Sequence, residues 1–231
     1  MEEVIKAALA KLREYPGKAG DLLADLRAKN DKGAKIEPWK EDQLNKFVKV
    51  LIENVSELEA AYIQGSLSKT AWTARNLLEL SIWIRYCNLS DQHGKRFRLD
   101  GARDLMGFFK ALKGFHGPKI ASEIPKMDAA EAELELIAKN EFGVASLGSS
   151  FVEVRNAAEE IGETRYKDLN KLCSKFAHPT AWIIAATNWA EFSQFSVMFL
   201  FEGTTMALEA LETIREFVLK RYPKTAGATT P

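Results

Sequence analysis

Two cysteines, Cys87 and Cys173, and three histidines, His93, His116 and His178, are the only thiol and imidazole side chains of this 231-residue chain. Two thiols cannot build a disulfide framework or a cysteine-based zinc site, and three imidazoles leave little room for a metal centre. No metal and no cofactor is therefore expected. Net charge is missing as well, because 32 Lys and Arg face 32 Asp and Glu. That balance excludes a global polyelectrolyte attraction to nucleic acid, though not a local basic patch. No GxxxxGK[ST], HExxH or GxSxG pattern occurs, and no GxGxxG follows a strand. The main nucleotide-loop, zinc-protease and serine-hydrolase readings go with them. Sustained period-2 alternation is absent, and so is any internal repeat of 30 to 45 residues. What remains is 46% hydrophobic and 28% charged residues, enough apolar mass for a sizeable core. The expectation is a cytoplasmic, soluble globule with no membrane partner.

The N-terminal run 1–14 is charged and amphipathic and lacks the apolar core of a targeting signal. Only 181–201 looks membrane-like, with 15 apolar residues in 21. Thr187, Asn188, Glu191 and Gln194 fall on one stripe of it, which a lipid-facing helix should not carry. A core helix with one polar edge is the better reading.

Helical periodicity runs almost throughout. Short helices are expected over 3–14 and 19–29, broken at Pro16-Gly17. Pro38 opens a long helix whose Leu44, Phe47, Val48, Leu51, Val55, Leu58 and Tyr62 share a face, and Gly65 ends it. The helix 67–89 is apolar on nearly every side and belongs in the middle of a bundle. A glycine-interrupted helix is expected over 93–117, then helices over about 127–142 and 150–161. Thr164 suits the N-cap of a helix over 165–177, and a last helical stretch over 180–221 is expected to bend or break near Gly203. Charge is segregated: 85–119 holds eight Lys/Arg against three Asp, and 120–163 holds ten Asp/Glu against three Lys/Arg. The whole reads as an all-α, single-domain multi-helix bundle over 1–222 with a long antiparallel helical core. Residues 1–35 form a peripheral arm in this reading, and 223–231 a disordered tail.

Charges on the most apolar helix stand out. Arg75 and Glu79 are four residues apart, so they project from one face, and their stripe includes Trp72, Trp83 and Tyr86. An isolated buried ion is too costly, so the two are expected to pair. The pair then either fixes helix packing or lines an internal polar pocket. Further on, Lys171, Ser174, Lys175 and His178 occupy one side of the expected helix 165–177. A histidine at a helix C-terminus meets the negative end of the dipole, which favours its imidazolium form. Flanked by lysines, it could serve as acid or base on a phosphodiester while the lysines stabilise negative charge. The alternative is a ring that bonds a helix-end carbonyl. Asn188, Glu191 and Gln194 could face the same place or form only the wet edge of their helix. Gly94-Lys-Arg-Phe-Arg98 reads as a basic loop, in which Arg96 and Arg98 could contact phosphate or RNA. Cys173 lies among Lys171 and Lys175, which would lower its pKa if exposed; a buried, inert thiol is the other reading.

The run Ala74-Arg-Asn-Leu-Leu-Glu-Leu80 resembles the bacterial DUF5677 family. So does the pattern Tyr166…Leu172-Cys173…His178-Pro179-Thr180. That family looks like part of the wider HEPN-like, all-helical group, and the resemblance spans about 60 to 190. Many HEPN-like proteins are dimeric ribonucleases with an Arg four to six residues before a His. The resemblance thus implies an RNA or nucleotide partner, a homodimer, and a stress or defence setting. His178 matches the His of that pattern. Leu172 and Cys173 stand where the Arg would be, and the basic residue available is Lys171. Lysine lacks the planar fork of arginine. Arg75, from another helix, could supply the guanidinium in three dimensions.

Two functions follow as expectations. In the first, His178, Arg75, Glu79 and Lys171 are catalytic in RNA cleavage, and Lys175, Tyr166, Asn188, Glu191, Arg96 and Arg98 bind the ligand. In the second, the chain is a non-catalytic helical binding module, and a buried Arg75–Glu79–His178 network is structural.

Overall fold

The computed structural model describes residues 2–31, 36–116, 121–144, 147, 151–178 and 192–221. Among these residues the chain forms eight helices and no strand, so the fold is all-α. The helices are α1 (Glu2–Asp31), α2 (Pro38–Ile63), α3 (Leu67–Leu89), α4 (Asp91–His116), α5 (Ile124–Phe142), α6 (Val154–Glu160), α7 (Tyr166–Ala177) and α8 (Ser193–Arg221). None of them is long and apolar enough to cross a membrane. Asn188, Glu191, the rest of 179–191 and the tail 223–231 lie outside the described residues.

α3 is the central rod. It packs against α2, α4, α6, α7 and α8 and buries residues around its circumference, among them Ala71, Ala74, Leu77, Leu78, Ile82 and Ile84. This is what a helix without a polar face must do in water. α2 turns into α3 at Gly65, whose φ of 68° is open to glycine at little cost. α2 also runs antiparallel to α8. Near one end of α2 the Lys40 ammonium sits 4.9 Å from the Phe217 ring, and near the other Leu58 meets Gly203. A Cβ on Gly203 would lie 2.7 Å from Leu58 Cδ2 and 3.4 Å from the Ala74 Cα. The missing side chain is what lets α8 close on α2 and α3. Gly203 therefore marks a close approach, and α8 continues through it rather than breaking there.

Pro16 likewise does not split α1, which is a single helix of 30 residues. Proline removes one backbone hydrogen bond, but the adjoining turn is pinned from outside. Tyr15 is fully buried and its hydroxyl donates to the Ala207 carbonyl of α8 at 3.0 Å. Leu12, Ala19 and Leu26 of α1 are buried in the same core. Tertiary burial thus outweighs a local breaker.

The expected basic loop 94–98 is also helical, forming early turns of α4. Phe97 packs on Trp83 and Phe47, with ring centroids 5.0 and 5.4 Å away. Gly94 is buried against Trp39 and Gln43, which leaves no room for a loop. The opposite charges of 85–119 and 120–163 meet in an α4–α5 pair. Lys113 contacts Asp128 at 2.6 Å and Glu131 at 2.8 Å, and Arg98 contacts Glu141 at 3.4 Å. The order of these pairs makes the two helices antiparallel. A smaller apolar cluster, Leu99, Ala138 and Leu147, lies in this part.

Thr164 does not cap α7. Arg165 stands at the N-cap position with no side-chain cap hydrogen bond, and the Glu163 carboxylate accepts its N–H at 3.0 Å. Glu163 is also gripped by Arg85 at 2.6 Å and by the Arg165 guanidinium at 2.8 Å, and Arg165 continues to Glu209 at 2.8 Å. The chain ties α3, α7 and α8 together. Arg165, with smaller help from Arg85, holds the Glu163 carboxyl down at about 2 against the burial that opposes it.

Candidate functional site

α7 lies across α3 on an apolar face made of Leu169, Cys173 and Phe176. Phe176 anchors it to the start of α8, with ring centroids 5.0 Å from Phe195 and 5.4 Å from Phe199. This seating carries the helix end, His178, onto the outer surface of α3.

There it meets the Arg75 and Glu79 face. Arg75 Nε donates to Glu79 Oε1 at 3.0 Å, one helical turn away. Arg75 Nη1 approaches His178 Nε2 at 3.4 Å. A guanidinium carries only donors, so this contact uses the lone pair of a neutral ring with its proton on Nδ1. Trp72, one turn before Arg75 and half-exposed, stands edge-on to the imidazole, with centroids 6.2 Å apart and planes at 88°. Tyr166 on the first turn of α7 is close enough to feel both Glu79 and Arg75, and burial raises its phenol above the usual value.

The group is a surface cluster rather than a buried network or an internal pocket. The Arg75 and Glu79 side chains each retain 27% exposure, and His178 is exposed. The stems of the two charged side chains cover α3 while their heads reach solvent. Lys171 and Lys175 are exposed on α7 and form no ion pair with the described residues. They stand one and two turns before His178 on its side of the helix. Cys173 points the other way, into the core. Burial pushes its thiol up to about 12, so the flanking lysines do not activate it.

The structure leaves other expected residues elsewhere. Trp83 and Tyr86 share the Arg75 stripe in sequence but pack toward α4, against Phe97 and His93. Arg98 lies 5.7 Å from the Trp39 ring centroid and 5.9 Å from that of Phe142, and it pairs with Glu141. It fastens α4 to its neighbours and is not held out for a ligand. Arg96 is exposed on α4 near Tyr86, toward the far end of α3 from Arg75. Asn188 and Glu191 lie outside the described residues. Among the described residues no group of three or more His, Cys, Asp or Glu could hold a metal ion.

Sequence reasoning missed the direct Trp72–His178 contact. Trp72 stood on the named stripe, but nothing in the spacing separates it from Trp83. A second surface histidine was passed over as well: His93 lies between Ser90 and Glu160. Compared with protein-family models, with curated proteins and with solved structures, the chain matches none.

Proposed function

We propose that this helical protein acts on RNA, and that the Arg75–Glu79–His178 cluster is where it meets a phosphodiester. The observation that carries this reading is the 3.4 Å approach of Arg75 Nη1 to His178 Nε2 at an exposed surface. Glu79 occupies Nε of Arg75 and fixes the guanidinium, leaving its outer edge for a phosphate oxygen. Lys171 and Lys175 add positive charge on the adjoining turns. Trp72 offers a ring face beside the imidazole for a base. With Nε2 engaged by Arg75, His178 would offer its Nδ1 proton to the leaving oxygen. The resemblance of 74–80 and 166–180 to HEPN-like proteins points the same way, and it adds a homodimer to the proposal.

The test is incubation of the purified chain with total RNA at low salt, beside His178→Ala and Arg75→Ala. Cleavage by the wild type, reduced at least ~100-fold in His178→Ala, supports the reading. One observation favours the other function: the Arg75–Glu79 pair is already satisfied within one turn of α3. If the wild type leaves RNA intact and does not bind it, while Arg75→Ala lowers thermal stability, the cluster is structural and the protein is a binding module.

A further inference from the structure

A different end of α3 carries a second constellation. Ser90 follows the last residue of α3 and precedes α4. Its Oγ lies 2.6 Å from Nδ1 of His93, and Nε2 of the same ring lies 2.7 Å from Glu160 Oε1 at the end of α6. A carboxylate only accepts, so the proton between His93 and Glu160 belongs to Nε2. In the neutral ring Nδ1 keeps its lone pair, and the Ser90 hydroxyl donates to it. The hydroxyl, the imidazole and the carboxylate form one directed chain, the arrangement that activates a serine oxygen. Tyr86 packs its buried ring against the imidazole at 4.8 Å and 83°, which sets the ring plane.

Ser90 also has a plain structural task. Its Oγ accepts the His93 N–H at 3.4 Å, as a residue preceding a helix does. A cap needs only a lone pair on that oxygen. It does not need the hydroxyl aimed at an imidazole, nor a carboxylate brought from α6 to hold that imidazole from behind.

Ser90 opens onto a cleft of about 550 Å³ walled by Leu89, Ile161 and Phe217, with Asn88 and Lys220 among its polar groups. Neither the oxygen nor the nitrogen of the Asn88 side-chain amide has a hydrogen-bond partner.

We propose that Ser90, His93 and Glu160 form a hydrolytic site for small carboxylic esters, with the acyl chain in the cleft against Leu89, Ile161 and Phe217. Ser90 Oγ attacks the acyl carbon while its proton passes to His93 Nδ1. The C–O bond to the alcohol breaks, and the alkoxide leaves with that proton. Water then attacks the acyl-serine through the same imidazole, and the acid leaves with Ser90 restored. Ser90 and His93 are the catalytic residues, and Glu160 is a positioning residue acting through His93. The site does not depend on the RNA reading. Ser90 lies 15 positions beyond Arg75, roughly 22 Å along the helix at 1.5 Å per residue.

The experiment treats the full chain with p-nitrophenyl acetate and butyrate, and separately with an alkyl fluorophosphonate. p-Nitrophenol release is followed, and the adduct is located by peptide mass mapping. We expect one fluorophosphonate adduct, on Ser90, and turnover of both esters. Ser90→Asn preserves a capping side chain but has no hydroxyl. It should melt with the wild type and take no label. His93→Ala should lower the labelling rate at least ~100-fold. Glu160→Gln should lower kcat more than tenfold with KM nearly unchanged, and Glu160→Asp should recover part of the loss. Lys6→Ala, at an exposed position of α1, should label at the wild-type rate. An unlabelled wild type, an adduct on another residue, or a labelling rate indifferent to His93→Ala would overturn the proposal and leave Ser90 as a helix cap alone.

Discussion

The Arg75 guanidinium and the His178 imidazole, 103 positions apart in the chain, meet with Nη1 3.4 Å from Nε2. The contact joins the central helix to the end of α7, and it dictates which ring nitrogen of His178 carries the proton. We expect the neutral ring to be protonated on Nδ1, read from long-range proton–nitrogen spectra of the labelled protein. In Arg75→Ala the donor is gone, and the Nε2–H form that free imidazole prefers should return. An Nε2–H ring in the wild type would show that the contact does not persist in solution.

Acid should loosen the junction of α3, α7 and α8. Glu163 has its carboxyl pulled from 4.5 to about 2, chiefly by Arg165, so its folded value is depressed. A depressed carboxylate contributes stability that is fully present above its unfolded value and is lost as pH falls toward 2. The contribution is on the order of 2 kcal/mol, since the Glu163 side chain is almost fully enclosed. Denaturation of wild type and Glu163→Gln from pH 6 to pH 2 checks this. Their stabilities should converge on acidification, and a constant gap would place the stabilisation elsewhere.

Gly203 should tolerate no large side chain. Its absent Cβ would already press on Leu58 at 2.7 Å, with Ala74 and Leu77 behind it. Gly203→Leu should lower unfolding free energy in urea by about 1–3 kcal/mol or more, through overpacking. An unchanged midpoint would mean that α8 does not close on α2 and α3 at this point.

Neither thiol should react in the native protein. Cys87 and Cys173 are both buried, and burial raises each to about 12. At pH 8 an alkylating reagent should label neither until denaturant is added. Rapid native labelling of Cys173 would contradict its inward placement under α7.

The helical class and the central position of α3 were legible because apolar periodicity is a local signal that tertiary packing reinforces. Arg75–Glu79 was legible for the same reason, as a spacing of four on one helix. The failures are local signals overruled from a distance. Pro16 reads as a stop, but burial of Tyr15 against α8 carries α1 through it. Gly203 reads as a break, yet its small size serves helix approach. Arg98 reads as a free cation, although Trp39, Phe142 and Glu141 come from remote positions to enclose it. The Ser90–His93 spacing is local, but Glu160 lies 67 positions downstream of His93 and completes the chain only in the fold.

The most direct measurement is the affinity of a labelled single-stranded RNA for the wild type, Arg75→Ala, His178→Ala and Lys6→Ala, an exposed lysine of α1 as control, at low and at moderate salt. Arg75→Ala and His178→Ala should each weaken binding about tenfold or more, with a shallower salt dependence for Arg75→Ala, while Lys6→Ala binds as the wild type does. If all four proteins bind alike, or none binds at all, the Arg75–His178 cluster is not a phosphodiester site.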